Sequence, residues 1–121
     1  MSNKKYCESV SVNWGNVLGL YRNKIRCLIS EADRFINYYN KDLLHNFPDF
    51  SVYDRAQAVR VAGELLSLLD ELNSLRCFLR YKPLSFSELK CDSVIDFYEL
   101  NKDLVQPSDL QYPNNSEYYY R

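Results

Sequence analysis

Apolar residues recur along this chain at steps of three and four over two long stretches, the spacing that lines one side of an α-helix. From Trp14 to about Asn46 the seam is Leu18, Tyr21, Ile25, Leu28, Ala32, Phe35 and Tyr39, widened by Ile29, Ile36 and Leu43. Gly15 and Gly19 weaken the first turns by up to about 1 kcal/mol each relative to alanine, unless they admit the backbone of another element. Residues 1–13 read as a short arm or as the first turns of this helix, and the alternation of Val10, Val12 and Trp14 also suits extended chain.

The run Phe47-Pro48-Asp49-Phe50-Ser51 ends the first helix, because the residue before a proline disfavours helical dihedrals. Ser51 is then the expected N-cap of a second helix over about 52–81, with Asp54 in its first turn. Its seam is Val61, Leu65, Leu68, Leu72, Leu75 and Leu79. Ala62, Leu66 and Leu69 spread the apolar arc over about half the circumference, more than one neighbour covers, so this helix should be central. Ala56, Ala58, Ala62 and Gly63 keep its first half slim.

Lys82-Pro83 breaks the chain again, and a start signal follows. Ser85 and Glu88 have the spacing of a capping box, and Leu84 and Leu89 that of a hydrophobic staple. A third helix over about 86–105 then turns Phe86, Leu89, Phe97, Leu100 and Leu104 inward, with Val94 and Tyr98 beside them, and stops before Pro107. Residues 106–121, with two prolines, two asparagines and Tyr112, Tyr118, Tyr119 and Tyr120, read as a flexible tail.

These elements predict an all-α fold: an elongated antiparallel three-helix bundle over residues 1–105, with a short N-terminal arm and a flexible C-terminal tail. The helices would be about 50, 45 and 30 Å long. The third cannot cover the whole hairpin made by the first two. Apolar surface is left near one end, and we expect a homodimer to cover it, the alternative being the arm or tail of the same chain.

Composition narrows the function classes. One domain of 121 residues with 46% hydrophobic and 26% charged residues is globular. A net charge of −1 disfavours general affinity for nucleic acid. Residues 1–82 carry +3 and residues 83–121 carry −4, so the acid is concentrated in the last third. Cys7, Cys27, Cys77 and Cys91 contain no C-x-x-C pair and no apolar leader follows the N-terminus, so they read as free thiols of a cytoplasmic protein. No apolar stretch approaches the roughly 20 residues of a membrane span, and no membrane partner is expected.

The third helix carries the most informative pattern. Glu88, Asp92, Asp96, Glu99 and Asp103 follow steps of 4, 4, 3 and 4, which gathers them into an arc of about 80°. Lys90 and Lys102 fall outside it. Like charges at such spacings cost about 0.2–0.5 kcal/mol each, so the ridge is either a solvated face or a docking surface for a basic protein. Arg76 stands at the margin of the second helix's apolar arc, as a stem reaching water or as an interface arginine. Tyr38 points away from the first helix's seam and offers amphipathic contact area.

No catalytic apparatus is recognisable. His45 is the only histidine and falls at the end of a helix, where the dipole accounts for it. Neither H-E-x-x-H nor a Gly-rich phosphate loop nor G-x-S-x-G occurs. The arginine-histidine spacing of helical ribonucleases is missing, and the first two helices lack the E-x-x-E pair that Mg²⁺ sites of all-helical pyrophosphatases need. No metal or cofactor is expected. Arg22 and Arg26 share a face, whereas the second helix's arginines are interrupted by Glu64, Asp70 and Glu71, which weakens a nucleic-acid reading. The expectation is a non-enzymatic protein-binding factor of the inhibitor, immunity or anti-defence kind, docking a basic partner through the acidic face. The alternatives are a small adaptor or structural subunit using an apolar surface, and a nucleic-acid-binding regulator.

Overall fold

The computed structural model describes residues 12–113. Among the described residues there are three α-helices, two short 3-10 turns and no strand. Helix α1 spans Trp14–Leu44, α2 spans Pro48–Phe78 and α3 spans Asp92–Asn101. The first two have 31 residues each, about 46 Å, and pack along their lengths as an antiparallel hairpin. The chain then returns along α2. Leu84 bonds to Asn73, Tyr98 lies against Gly63, and Arg55 bonds to the Leu104 carbonyl, so α3 is antiparallel to α2 and parallel to α1. The fold is all-α, as the periodicity predicts.

The core is built from Ile25, Leu28 and Ala32 of α1, Val61, Ala62, Leu65, Leu69 and Leu72 of α2, and Leu84, Cys91, Val94 and Ile95 of the returning segment. Full burial of a leucine or isoleucine is worth about 1.5–3 kcal/mol, so α2, which supplies the largest share, dominates the packing. It touches α1, α3 and the 3-10 turn at Pro107–Leu110, the central position its wide apolar arc predicts. Gly19 has open space beyond it and admits no neighbour. Gly63 is the glycine that a neighbour uses, with the Tyr98 ring 3.6 Å from where a Cβ would stand.

Helix α2 begins four residues earlier than the sequence suggests. Pro48 is its first residue, where a missing N–H costs nothing because the first four have no partner within the helix. Ser51 is therefore not a cap. It is buried in the first turn and donates its hydroxyl to the Pro48 carbonyl at 2.8 Å.

Three reversals share one geometry. Beyond α1, Asn46 takes φ 60°, and the N–H groups of Asn46 and Phe47 bond to the carbonyls of Leu43 and Asp42 at 3.3 and 2.8 Å. Beyond α2, Arg80 takes φ 65°, and Arg80 and Tyr81 bond to Cys77 and Arg76 at 3.0 and 2.8 Å. After the turn at 86–90, Lys90 takes φ 56°, and Lys90 and Cys91 bond to Ser87 and Phe86, each at 3.1 Å. Each is a Schellman closure, whose left-handed position glycine normally fills.

The third of these splits the predicted third helix. Ser85 and Glu88 do form their reciprocal box, with Ser85 N–H to Glu88 Oε1 and Glu88 N–H to Ser85 Oγ both at 3.2 Å. It caps a single turn, and the helix starts afresh at Asp92. It ends at Asn101 and tightens into a 3-10 turn over Lys102–Leu104. The segment 106–113 is not a loose tail: Pro107–Leu110 form a second 3-10 turn, and the Tyr112 ring packs edge-on against Tyr53 at 5.2 Å and Phe50 at 6.1 Å. The predicted arm, apart from Val12 and Asn13, and the tail beyond Pro113 lie outside the described residues.

Two side chains of α2 strap down the return. The Asn73 amide donates to the Leu84 carbonyl at 3.0 Å and accepts the Leu84 N–H at 2.7 Å, pinning Leu84 in the core. One turn on, Arg76 Nε donates to the Lys82 carbonyl at 2.8 Å while its guanidinium lies 5.5 Å from the Tyr81 ring centre. We expect Asn73→Ala to lower the unfolding free energy in urea by about 1–3 kcal/mol, since it strands two backbone groups. Lys90→Gly should raise it by up to about 1 kcal/mol, and Asn46→Gly should change it less, because asparagine tolerates the left-handed region. A neutral Asn73→Ala would mean that burial alone holds Leu84.

Candidate interaction surface

The acidic row survives in shortened form. Asp92, Asp96 and Glu99 share α3 and are exposed. Glu88 sits on the preceding turn and is turned back onto Ser85, and Asp103 lies in the following 3-10 turn, both exposed. The five carboxylates therefore do not line one continuous helix, because the chain reverses at Lys90 and tightens at Lys102. Glu99 accepts from Lys102 at 3.0 Å, which raises the Lys102 pKa, and the ammonium lies 5.7 Å from the Tyr98 ring centre. Asp92 accepts a long bond from the Ser87 hydroxyl at 3.5 Å.

Beside these carboxylates, on the side toward Phe97, stand two leucines that the sequence pattern turns inward. Leu100 is 77% exposed and Leu104 is 56% exposed. The inward side of α3 is instead Val94 and Ile95, with Phe97 edge-on to Tyr39 at 5.5 Å. The helix start accounts for the difference: a pattern that includes Phe86 and Leu89 is anchored on a turn that is not part of this helix. The combination is an apolar edge, Leu100 on α3 and Leu104 on the 3-10 turn after it, flanked on one side by carboxylates. It can supply buried contact area from the leucines and long-range steering from the carboxylates.

The other two predicted contact residues are placed elsewhere. Arg76 is bound to its own chain at Lys82 and Tyr81, so it fixes the reversal after α2. Tyr38 is exposed on α1, edge-on to Phe35 at 6.2 Å. It borders a cavity of about 310 Å³ at the hairpin end, together with Phe35, Lys41, Asp42, Tyr53, Asp54 and Tyr112. Asp42 and Asp54 are only 2% exposed, so neither adds to the acidic surface. The sequence reading missed both. Asp54 is seven residues before Val61, a seam position, and that spacing was the available signal.

The arginines of α2 are largely engaged internally. Arg60 pairs with Glu64 at 2.7 Å and Glu31 at 3.7 Å, Arg55 bonds to the Leu104 carbonyl at 3.3 Å, and Arg76 holds Lys82. Arg22, Arg26 and Arg34 are exposed on α1 and make no ion pair among the described residues. His45 is the C-cap residue of α1, with its ring 6.2 Å from Phe47. Among the described residues no three His, Cys, Asp or Glu side chains converge as a metal site, and no helix is long and apolar enough to cross a membrane.

Of the cysteines, Cys27 and Cys77 are exposed, Cys91 is buried, and all three are free thiols; Cys7 lies outside the described residues. Burial pushes the Cys91 pKa up, and the Asp92 and Asp33 carboxylates push it further. Alkylation of the native protein should modify Cys27 and Cys77 rapidly and Cys91 only on unfolding, as read by peptide mass. The fold keeps the Cys91 proton, so its contribution to stability is complete below the ordinary thiol pKa and is lost as pH rises through the raised one; Cys91→Ala should flatten that alkaline slope. Equal labelling of Cys91 in the native state would contradict this.

Comparison of the chain with protein-family models, with curated proteins and with solved structures finds no match.

Proposed function

We propose that this chain is a non-enzymatic binding protein that docks a basic protein through the outward face of α3, as a stoichiometric inhibitor or immunity-type factor. One observation carries the reading: Leu100 protrudes from α3, whose other outward positions include Asp92, Asp96 and Glu99, and Leu104 protrudes from the 3-10 turn that follows it. Exposed leucines beside carboxylates give a partner both an anchor and a steering field. Arg76 takes no part, being committed to Lys82. Three free thiols among the described residues suit a reducing compartment, and we place its action in the cytoplasm.

A second reading, an adaptor or self-associating subunit, is favoured by the opposite end of the hairpin, where Trp14, Tyr81 and the 74% exposed Phe78 are grouped at the start of α1 and the end of α2. A homodimer would use that end.

The two readings separate on variants. Tagged protein should capture a basic protein from lysate of its own cells, and salt should release it. Joint reversal of Asp92, Asp96 and Glu99 to lysine should abolish capture, and Leu100→Ala should weaken it at least about tenfold, the scale of one well-packed anchor. Phe78→Ala should leave capture intact. Loss with Phe78→Ala, together with a fall in sedimenting mass from dimer to monomer, would favour the second reading. A retarded nucleic acid that is released by Arg22 and Arg26 substitution would replace both.

A further inference from the structure

The rotation of α3 is fixed by two neighbours. Phe97 faces Tyr39 of α1 and Tyr98 faces Gly63 of α2. At 100° per residue, Leu100 emerges about 60° beyond Phe97 on the side away from Tyr98, and Asp96 about 40° further. Both therefore border α1. Lys102 lies on the other flank, held over Tyr98 by Glu99.

The rotation of α1 is fixed in the same way. Glu31 reaches Arg60 of α2, and Tyr39, about 80° round from Glu31 in projection, packs edge-on against Phe97 of α3. Asp33 and Leu44, about 20° apart in projection, thus lie on the α3 side, with Leu43 between that margin and the core. Arg34 and Lys41 project about 60–100° away, toward solvent.

Two parallel helices side by side leave a valley between them. Toward the hairpin end, this one is bordered by Leu43 and Leu44 of α1 and Leu100 and Leu104 at α3, all more than half exposed, with Asp33 and Asp96 on its rims. No lysine or arginine of either helix projects along these margins between Asp33 and Leu44 or between Asp92 and Leu104, on the projection above. The stretch from Asp33 to Leu44 is about 16 Å long, three helical turns.

We propose that this valley receives a basic amphipathic helix of the partner protein, which completes a four-helix bundle. The proposal rests on α3 being the contact surface and names the element that it grips. Leucine-type side chains of the incoming helix, at steps of three and four, would pack between the four leucines. Its lysines or arginines would face Asp33 and Asp96. A valley in an all-helical bundle accepts a helix because ridges of side chains fit between ridges, and an acidic rim selects a cationic one.

The test uses a fluorescent synthetic peptide of about 14 residues with leucines at helical spacing and lysines elsewhere, and a scrambled peptide of the same composition, each titrated by anisotropy against the full chain. We expect the helical pattern to bind at least tenfold more tightly than the scrambled one, to become helical on binding, and to lose that advantage with Leu100→Ala/Leu104→Ala. Asp33→Asn/Asp96→Asn should weaken binding and reduce its salt dependence. These side chains are exposed, and circular dichroism checks that each variant is folded. Equal binding of the scrambled peptide, or undiminished binding to the leucine variant, overturns the proposal. So does a chain dimer that dissociates with the leucine variant, since the occupant is then a second copy. If the captured partner depends on α3 yet is not displaced by the peptide, this inference fails and the docking reading stands. If capture is indifferent to α3, the docking reading itself fails.

Discussion

Helix α2 buries side chains on nearly opposite sides, and that constraint organises the molecule. Val61 is in the core shared with α1, and Gly63, about 160° away in projection, is covered by Tyr98. An α1–α2 hairpin alone would leave half of this surface wet. The chain beyond α2 therefore has to return along it, and Asn73 and Arg76 hold the return in register by bonding its backbone. At ten residues, α3 is shorter than a helix that persists alone in water, so its helicity depends on Val94, Ile95, Phe97 and Tyr98 finding α2 and α1. The outward acidic face exists because the inward face is packed.

The parts legible in the sequence are those governed by periodicity. The two long seams, the central place of α2 and the slim patch at Gly63 follow from spacing and appear in the structure, except that Leu43, placed by its spacing on the first seam, is 52% exposed. The ends were less legible, and for one physical reason. Glycine is the usual mark of a helix stop, and here Asn46, Arg80 and Lys90 take the left-handed position instead. Without that mark the ends of the first two helices read two and three residues late, and the turn at 86–90 fused with α3. Pro48 misled in the other direction, since a proline that ends one helix is equally suited to begin the next.

The candidate surface was half legible. The steps that group Asp92, Asp96 and Glu99 were read correctly, but Glu88 and Asp103 were joined to a helix that does not contain them. Leu100 and Leu104 were assigned inward by a rotation inherited from Phe86 and Leu89, and they point outward. Asp42 and Asp54 went unnoticed because a buried carboxylate has no pattern of its own; only its phase relative to a seam reveals it. Arg76 was marked as unusual from its position on the apolar margin, and its use in fixing a backbone reversal required the return path to be known.

Two small penalties coincide on α3. Neighbouring carboxylates at i,i+4 repel by a few tenths of a kcal/mol, and a leucine left in water forgoes about 1.5–3 kcal/mol of burial. Lysines at the same positions would have removed the first penalty, and a polar residue at position 100 the second. Neither change would disturb the core, because none of these side chains enters it. The fold therefore does not need this arrangement. A partner that buries the leucines and neutralises the carboxylates would recover both terms at once. Lys102 pairs with Glu99, and the other nearby basic positions are directed elsewhere: Arg60 to Glu31 and Glu64, and Arg55 to Leu104. Among the described residues no ion pair reaches Asp92 or Asp96, which leaves the proposed strip beside Leu100 acidic.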